Sequence, residues 1–427
     1  MQCLLPAQPP CRLSCGSGRA LKPDGSKGDQ LSKRILIIVE NLPCPFDRRT
    51  WQEARTLKAA GYKVFIICPT GMGYEATEET VDDIPIYRYR LPIEADSFGG
   101  YVVEYVAAFA AQFWLSLKVA RRHGFDAIHA CNPPDTICVI GLVFRLFGKK
   151  FVFDHHDLNP ELFRAKFGRN RVLEKLLILL ERLSFRTAHI SIATNESYRS
   201  IAIERGRMSP DNVFVVRSGP DLQRVTPVQE NTAWKRGKRF LVGYLGVMGK
   251  QEGLDHLLNA ARYIRETLGR DDIGYVLVGG GPELANLKNL ATKLKVADIV
   301  TFTGRVPDAQ LLDALSAADV CVNPDVANDM NDKSTMNKIM EYMALGKPIV
   351  QYDLLEGRYT AQKASLYAKR NDFCDLARLI VDLLDNRELR QEMGSFGRNR
   401  VVNELAWEFE APKLLAAYSR LFDAPPG

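Results

Sequence analysis

The stretch Lys333-Ser-Thr-Met-Asn-Lys-Ile-Met-Glu-Tyr-Met-Ala-Leu-Gly-Lys-Pro-Ile-Val350 reads as a short helix, a tight turn and a buried strand. Ser334 or Thr335 is placed to cap the helix start. Gly346 falls where a left-handed C-cap is wanted, and Pro348 stops any continuation. At about 100° per residue, Met336, Ile339, Met340 and Met343 fall on one side of the helix, and Asn337, Lys338 and Glu341 on the other. One face is expected to pack on a core while the other presents an amide, a cation and a carboxylate together. Ile349 and Val350 begin a strand, and a second carboxylate, Glu356, follows it in a polar run, 353–360, that reads as turn-forming. Taken alone, the polar face also fits a solvated helix with a Lys338–Glu341 ion pair at i, i+3, worth about 0.2–0.5 kcal/mol.

Outward from this stretch, short apolar runs alternate with amphipathic segments. Strands are expected at 34–39, 64–68, 127–130, 151–154, 190–193 and 213–216, with a helix from Asp47 or Arg48 to Ala60. A second series opens at Phe240 and continues with strands at 275–278, 299–302 and 320–323, separated by helices at 254–268, 283–294 and 308–317. Strand–helix–strand spacing of this kind builds parallel sheets with right-handed crossovers. The fold class is therefore α/β, with two sheets. Domain boundaries are expected at 1–31 (a disordered extension), 32–220, 221–238 (a polar linker), 239–405 and 406–427. The last is a helix whose docking face is Trp407, Leu414, Leu415 and Tyr418. The apolar segment 101–119 carries Glu104 and Lys118 and reads as a packed domain helix rather than a membrane span.

The 427 residues are 46% hydrophobic and 25% charged, which is globular and long enough for two or three domains. A net charge of +6 suits anionic partners without naming one, and nothing points to nucleic acid. Cys68, Cys138 and Cys321 lie in apolar runs and read as buried free thiols; Cys3, Cys11 and Cys15 lack zinc-ligand spacing. A reducing cytoplasm is expected. No metal and no resident cofactor are expected either: His155, His156 and Asp157 are adjacent on an extended chain, so they point apart.

Ligands of parallel sheets collect at the C-terminal ends of strands. There stand Cys131-Asn-Pro-Pro-Asp135 and His155-His-Asp157, from which His156 and Asp157 are the candidate site residues. Arg48 and Arg49, at a helix N-terminus, read either as a phosphate site or as two solvated arginines. The turn 279–283 is glycine-rich without the full G-x-G-x-x-G pattern, a weak nucleotide signal centred on Gly280. Between Arg164 and Arg186, seven basic residues interleave with Phe163, Phe167, Leu173, Leu176, Leu177 and Leu180. Such a segment can lie on an anionic membrane or cover a core.

The wording Asn337-Lys-x-x-Glu-Tyr-Met-Ala-x-Gly-x-Pro-Ile-Val350 resembles the donor-site helix of family 4 retaining glycosyltransferases, and the resemblance runs from about Ser32 to the C-terminus. It implies the GT-B architecture, in which two Rossmann-like domains face a cleft and the last helix crosses back to the first domain. It implies a nucleotide-sugar donor, a UDP-sugar, and a saccharide or lipid-linked saccharide acceptor in polysaccharide or glycolipid synthesis. It favours the membrane reading of 164–186, with the protein peripheral on the inner face. Glu341 would bond the ribose hydroxyls, Lys338 and Lys250 would neutralise the leaving diphosphate, and Asn337 and Glu356 would line the donor site. The base would lie near Arg305 and Val306.

The sequence also departs from the family pattern. Where many members carry an arginine after Gly246, only Lys250 is available, and Arg48 or Arg49 would have to help. A glutamate eight positions before Glu341 is here Lys333, with Asp329 or Asp332 as substitutes through a shifted loop. Cys131 stands nearest to the family's reaction-centre histidine. The resemblance implies front-face substitution with retention and no metal. Two other readings stay open: a sugar-nucleotide 2-epimerase of the same architecture, and a non-catalytic nucleotide-binding protein.

Overall fold

The short apolar runs form two separate parallel sheets in a computed structural model that describes residues 32–91, 98–168 and 170–423. The segment 1–31, with Cys3, Cys11 and Cys15, lies outside the described residues. The first sheet comprises β1 (Arg34–Ile38), β2 (Lys63–Pro69), β3 (Glu78–Val81), β4 (Ile84–Tyr89), β5 (Ala127–Cys131), β6 (Lys150–His155), β7 (Ile190–Ala193) and β8 (Val213–Val215). Its order is β3-β4-β2-β1-β5-β6-β7-β8, and every pairing except β3–β4 is parallel. The second sheet comprises β9 (Phe240–Leu245), β10 (Ile273–Val278), β11 (Val300–Gly304), β12 (Val320–Asn323), β13 (Ile349–Tyr352) and β14 (Ser365–Ala368), in the order β11-β10-β9-β12-β13-β14, all parallel. Helices cover both faces of each sheet, so the central strands are buried throughout, as near-continuous apolar runs require.

The order of each sheet fixes where a ligand can enter. The chain leaves β1 toward β2 and returns to β5 on its other side; in the second sheet it leaves β9 toward β10 and returns to β12. Crevices open at these two reversal points, outside the C-terminal ends of the strands. The loops after β1 and β5 line one, and the loops after β9 and β12 line the other.

The helix Phe98–Arg122 is a packed domain helix, burying Ala108, Gln112, Ser116 and Val119. The last helix, Trp407–Asp423, belongs physically to the first sheet. Leu414, Ala417, Tyr418 and Leu421 share a core with Ile35, Ile37, Leu57 and Ile66, and Trp407 Nε1 donates to Thr56 at 2.9 Å. Several elements were not anticipated, among them the helices Ile137–Arg145, Glu196–Glu204, Phe373–Asp385 and Arg387–Arg400 and the strand β14; two more differ from the sequence reading in an informative way. The β3–β4 hairpin turns on Asp82 and Asp83, both at positive φ, a two-residue turn without the usual glycine. The run after Tyr352 is not a polar turn but the helix Leu355–Ala361.

Candidate active site

The helix Asn337–Ala344 buries Ile339, Met340 and Met343, as its periodicity requires, and leaves Asn337 exposed. Neither Ser334 nor Thr335 caps it: Met336 is the N-cap, with no side-chain hydrogen bond. Both hydroxyls look elsewhere. Thr335 Oγ1 accepts from Asn195 Nδ2 at 3.0 Å, and Ser334 Oγ lies 3.2 Å from Tyr198 Oη. Among the described residues no side chain caps this helix start, the arrangement that leaves helix N–H groups able to meet an anion.

Lys338 is not on the open face. Its ammonium is buried beneath the crevice, 2.8 Å from Asp325 and 2.5 Å from Glu252, over the Tyr244 ring. The i, i+3 pair with Glu341 does not form. Burial alone would lower the Lys338 pKa, but Asp325, Tyr244 and Glu252 outweigh it and hold the lysine charged. Burial pushes Asp325 up to about 7 in spite of that cation. The charge of Lys338 is thus already matched by protein carboxylates. This corrects the expectation that it stands open to a diphosphate. Lys250 does stand open: it is exposed on the turn Lys250–Glu252 and makes no ion pair among the described residues.

Glu341 is held by two arginines that the sequence reading did not pair with it. Arg224 Nη2 donates to Glu341 Oε1 at 2.5 Å, and Arg48 Nη1 donates to the same oxygen at 3.3 Å. Both also reach Asp308, at 3.4 and 2.6 Å. Arg48 comes from the first sheet's leading helix, Arg48–Ala59, and Arg224 from the connecting segment, so two cations converge on the crevice of the second sheet.

Glu356 is not an exposed loop acid. It is buried at the start of its helix, accepting from Ser197 Oγ at 2.7 Å and pairing with Arg217 at 3.4 Å. Asp329 and Asp332 do not replace the glutamate missing at Lys333. Asp329 pairs with Arg164 across the cleft, and Asp332 accepts from the Leu355 amide and from Arg370.

The glycine turn after β10 serves packing first. A Cβ on Gly279, at φ +130°, would lie 1.9 Å from the Gly246 carbonyl oxygen, so the loops after β9 and β10 touch backbone to backbone. Gly280 faces Arg305, which is exposed and lies near Met72 and Phe46 of the first sheet's loops; Val306 packs against the second core.

On the first sheet, Arg49 is neither solvated nor open to phosphate. Its guanidinium is buried between Asp154 and Glu53, 3.0 Å from each, and its Nε donates toward His156 Nε2 at 2.9 Å. Burial would raise the Asp154 pKa, but Arg49 and His156 hold it well below the usual carboxylate range. Burial and then the Asp154 charge push Glu53 well above it. His155 and His156 do point apart. His155 packs among Phe153, Phe185 and Tyr198, while His156 meets Asp154 at 2.5 Å at the cleft wall. Asp157 is partly exposed beside it, and Asn132 Nδ2 donates to its carbonyl. Glu53, His129, Cys131 and Asp154 bring four ligand-type atoms within 4.8 Å of one another, a cluster not seen from sequence. Arg49 supplies the cation between its carboxylates.

The basic segment folds as two helices, Asn159–Phe167 and Arg171–Thr187. The second exposes Val172, Leu176 and Leu179 beside Arg171, Lys175 and Arg182. The neighbouring helix Ile137–Arg145 and the turn after it expose Val139, Leu142, Leu146 and Phe147. Among the described residues, no helix is long and apolar enough to cross a membrane.

Two family profiles match the chain: "Glycosyl transferase 4-like domain" over residues 47–219 and "Glycosyl transferases group 1" over 228–400. A 2-deoxystreptamine glucosyltransferase of Streptomyces kanamyceticus is 24% identical over 362 residues, covering 79% of this chain and 88% of that protein. A GDP-mannose-dependent phosphatidylinositol monomannoside mannosyltransferase of Mycobacterium tuberculosis is 31% identical over 185 residues, 42% of this chain and 48% of that one. An Anabaena protein solved with UDP and glucose superposes with a TM-score of 0.69 at 14% identity, covering 91% of this chain and all of that one.

Proposed function

The chain belongs to the family 4 type of glycosyltransferases with the GT-B architecture, and from that premise we propose that it transfers a sugar, with retention, from a UDP-sugar to a saccharide or lipid-linked saccharide. The observation that carries this reading is the convergence of Arg48 and Arg224 on Glu341 at the β9/β12 crevice. A nucleotide diphosphate entering there gives the two arginines new partners and frees Glu341 to accept from the ribose hydroxyls. Lys250 and the uncapped helix start at Asn337 add further positive potential, while Arg305 and Val306 flank the base. In this account Lys338 acts indirectly, by holding the β9 and β12 loops together through Glu252 and Asp325. No resident cofactor or metal is needed, because arginines, a lysine and helix N–H groups face the departing charge.

The chemistry is front-face substitution. The anomeric carbon–phosphate oxygen bond breaks, the acceptor oxygen bonds the same face, and its proton passes to the departing phosphate oxygen. A double displacement needs a free carboxylate nucleophile. On the donor side, the carboxylates Glu252, Asp308, Asp325, Glu341 and Glu356 are each held by a cation, which supports the front-face route. His156 and Asp157 stand on the acceptor side. The exposed apolar and basic face of Arg171–Thr187 supports peripheral contact with an anionic membrane and hence a lipid-linked acceptor. The free thiols of Cys44, Cys68, Cys131, Cys138 and Cys321 support a cytoplasmic site.

The test is product analysis with UDP-sugars and GDP-mannose, each with and without a lipid extract. A glycosylated lipid with the donor's anomeric configuration is expected. An epimerised nucleotide sugar formed without acceptor would instead identify an epimerase, and inverted product would overturn the front-face route.

A further inference from the structure

A buried chain of hydrogen bonds runs from the C-terminal helix to the acceptor side of the cleft. The Tyr418 hydroxyl lies 2.7 Å from His129 Nδ1, and His129 Nε2 lies 3.1 Å from Asp154 Oδ2. The same carboxylate oxygen lies 2.5 Å from His156 Nε2. Tyr418, His129 and Asp154 are fully buried, whereas the His156 side chain keeps 16% exposure at the cleft wall. The residues come from four elements: the last helix, β5, the end of β6 and the loop after it.

From Tyr418 to Asp154 the donors and acceptors have one consistent order, while His156 Nε2 faces both Asp154 Oδ2 and Arg49 Nε, the latter at 2.9 Å. Asp154, ionised between Arg49 and the two imidazoles, can only accept. His129 Nε2 must then carry the proton it donates, which leaves Nδ1 as an acceptor. Among the described residues, the Tyr418 hydroxyl alone fills it. Burial, and then the Glu53 charge, keep that hydroxyl protonated. Tyr418 therefore fixes the ring form of His129, which shares Asp154 Oδ2 with His156.

We propose that Tyr418 is a positioning residue for His156, acting through the ring form of His129 to hold the Asp154 carboxylate against the acceptor-side imidazole. This rests on reading His156 as an acceptor-side residue of the transferase. The crossing helix is then part of the acceptor site as well as a clamp on the fold. Arg49 and Glu53 from the leading helix, Asp47 at its cap and Cys131 from β5 are the other charged or titratable groups around the chain, and Tyr62 packs its ring on Tyr418 at 5.6 Å without joining it.

The experiment is ring-nitrogen NMR of histidine-labelled full-length chain, which needs no substrate. Wild type should show single ring forms for His129 and His156. Tyr418→Phe should lose the single form at His129 and move the His156 signals, while Tyr62→Phe, which removes a hydroxyl from the same ring cluster, should move neither. Should Tyr418→Phe fail to fold, His129→Gln gives the same reading at His156. Unchanged His156 signals in the folded variant would overturn the proposal, as would an equal effect from Tyr62→Phe. Once transfer is measurable, Tyr418→Phe should lower kcat and leave the nucleotide-sugar KM unchanged; the reverse split would also overturn it. Absence of transfer in wild type would count against the transferase reading alone.

Discussion

Removing the ammonium of Lys338, as in Lys338→Met, leaves Asp325 and Glu252 facing each other beneath the crevice with no cation between them. Breaking a buried pair this way costs about 3–5 kcal/mol. A loss of that size in urea unfolding is the expected outcome; a loss below about 1 kcal/mol, the range of exposed pairs, would return Lys338 to the surface role its sequence context suggested. The sequence could not make this distinction. Helical periodicity puts Lys338 opposite Met340 and so reads it as outward, but the partners that bury it come from Glu252 and Asp325 on two other loops. Arg224 was hidden for the same reason. It sits in a segment whose composition says linker, 117 residues from the carboxylate it bonds. Glu341 and Arg48 were legible because a motif and a helix N-terminus, both local features, marked them.

At the scale of elements, the central strands were legible because burial on both faces made the sequence continuously apolar, whereas helices such as Ile137–Arg145 and Phe373–Asp385 were not read. β7 and β12 match their expected residues, and the leading helix begins at Asp47 as its cap, which accepts from the Thr50 amide. The β3–β4 hairpin was missed because β3 is an exposed edge of polar residues, with neither a buried run nor a glycine turn to announce it. The helix Arg171–Thr187 was legible as amphipathic, but not its orientation. Val172, Leu176 and Leu179, three apolar residues on one face, point outward beside arginines and lysine. If this face meets an anionic surface, Leu176→Glu combined with Leu179→Glu abolishes co-sedimentation with phosphatidylglycerol vesicles. The fold persists, since Leu176 and Leu179 are 49% and 61% exposed. Equal sedimentation of variant and wild type would remove the membrane from the account.

Over the whole molecule, two sheets whose strand orders reverse at β1/β5 and β9/β12 bring their crevices together, and side chains already cross between them: Arg48 to Asp308, Arg164 to Asp329, Arg217 to Glu356 and Asn195 to Thr335. The alternation of elements made this architecture readable, but the crossings depend on loop shapes that no periodicity encodes. The central claim is that Glu341, with Arg48 and Arg224, forms the nucleotide end of a sugar-donor site. Thermal unfolding with UDP, GDP, ADP, CMP and NAD, on wild type and Glu341→Ala, tests it most directly. At about 100 times its dissociation constant a ligand stabilises by about 2.7 kcal/mol, a visible rise in Tm. The account predicts a rise with UDP that disappears in Glu341→Ala, while the unliganded variant stays folded. A rise with GDP alone would keep the site and change the donor. A rise with NAD alone, with nothing, or with UDP undiminished in Glu341→Ala would contradict it.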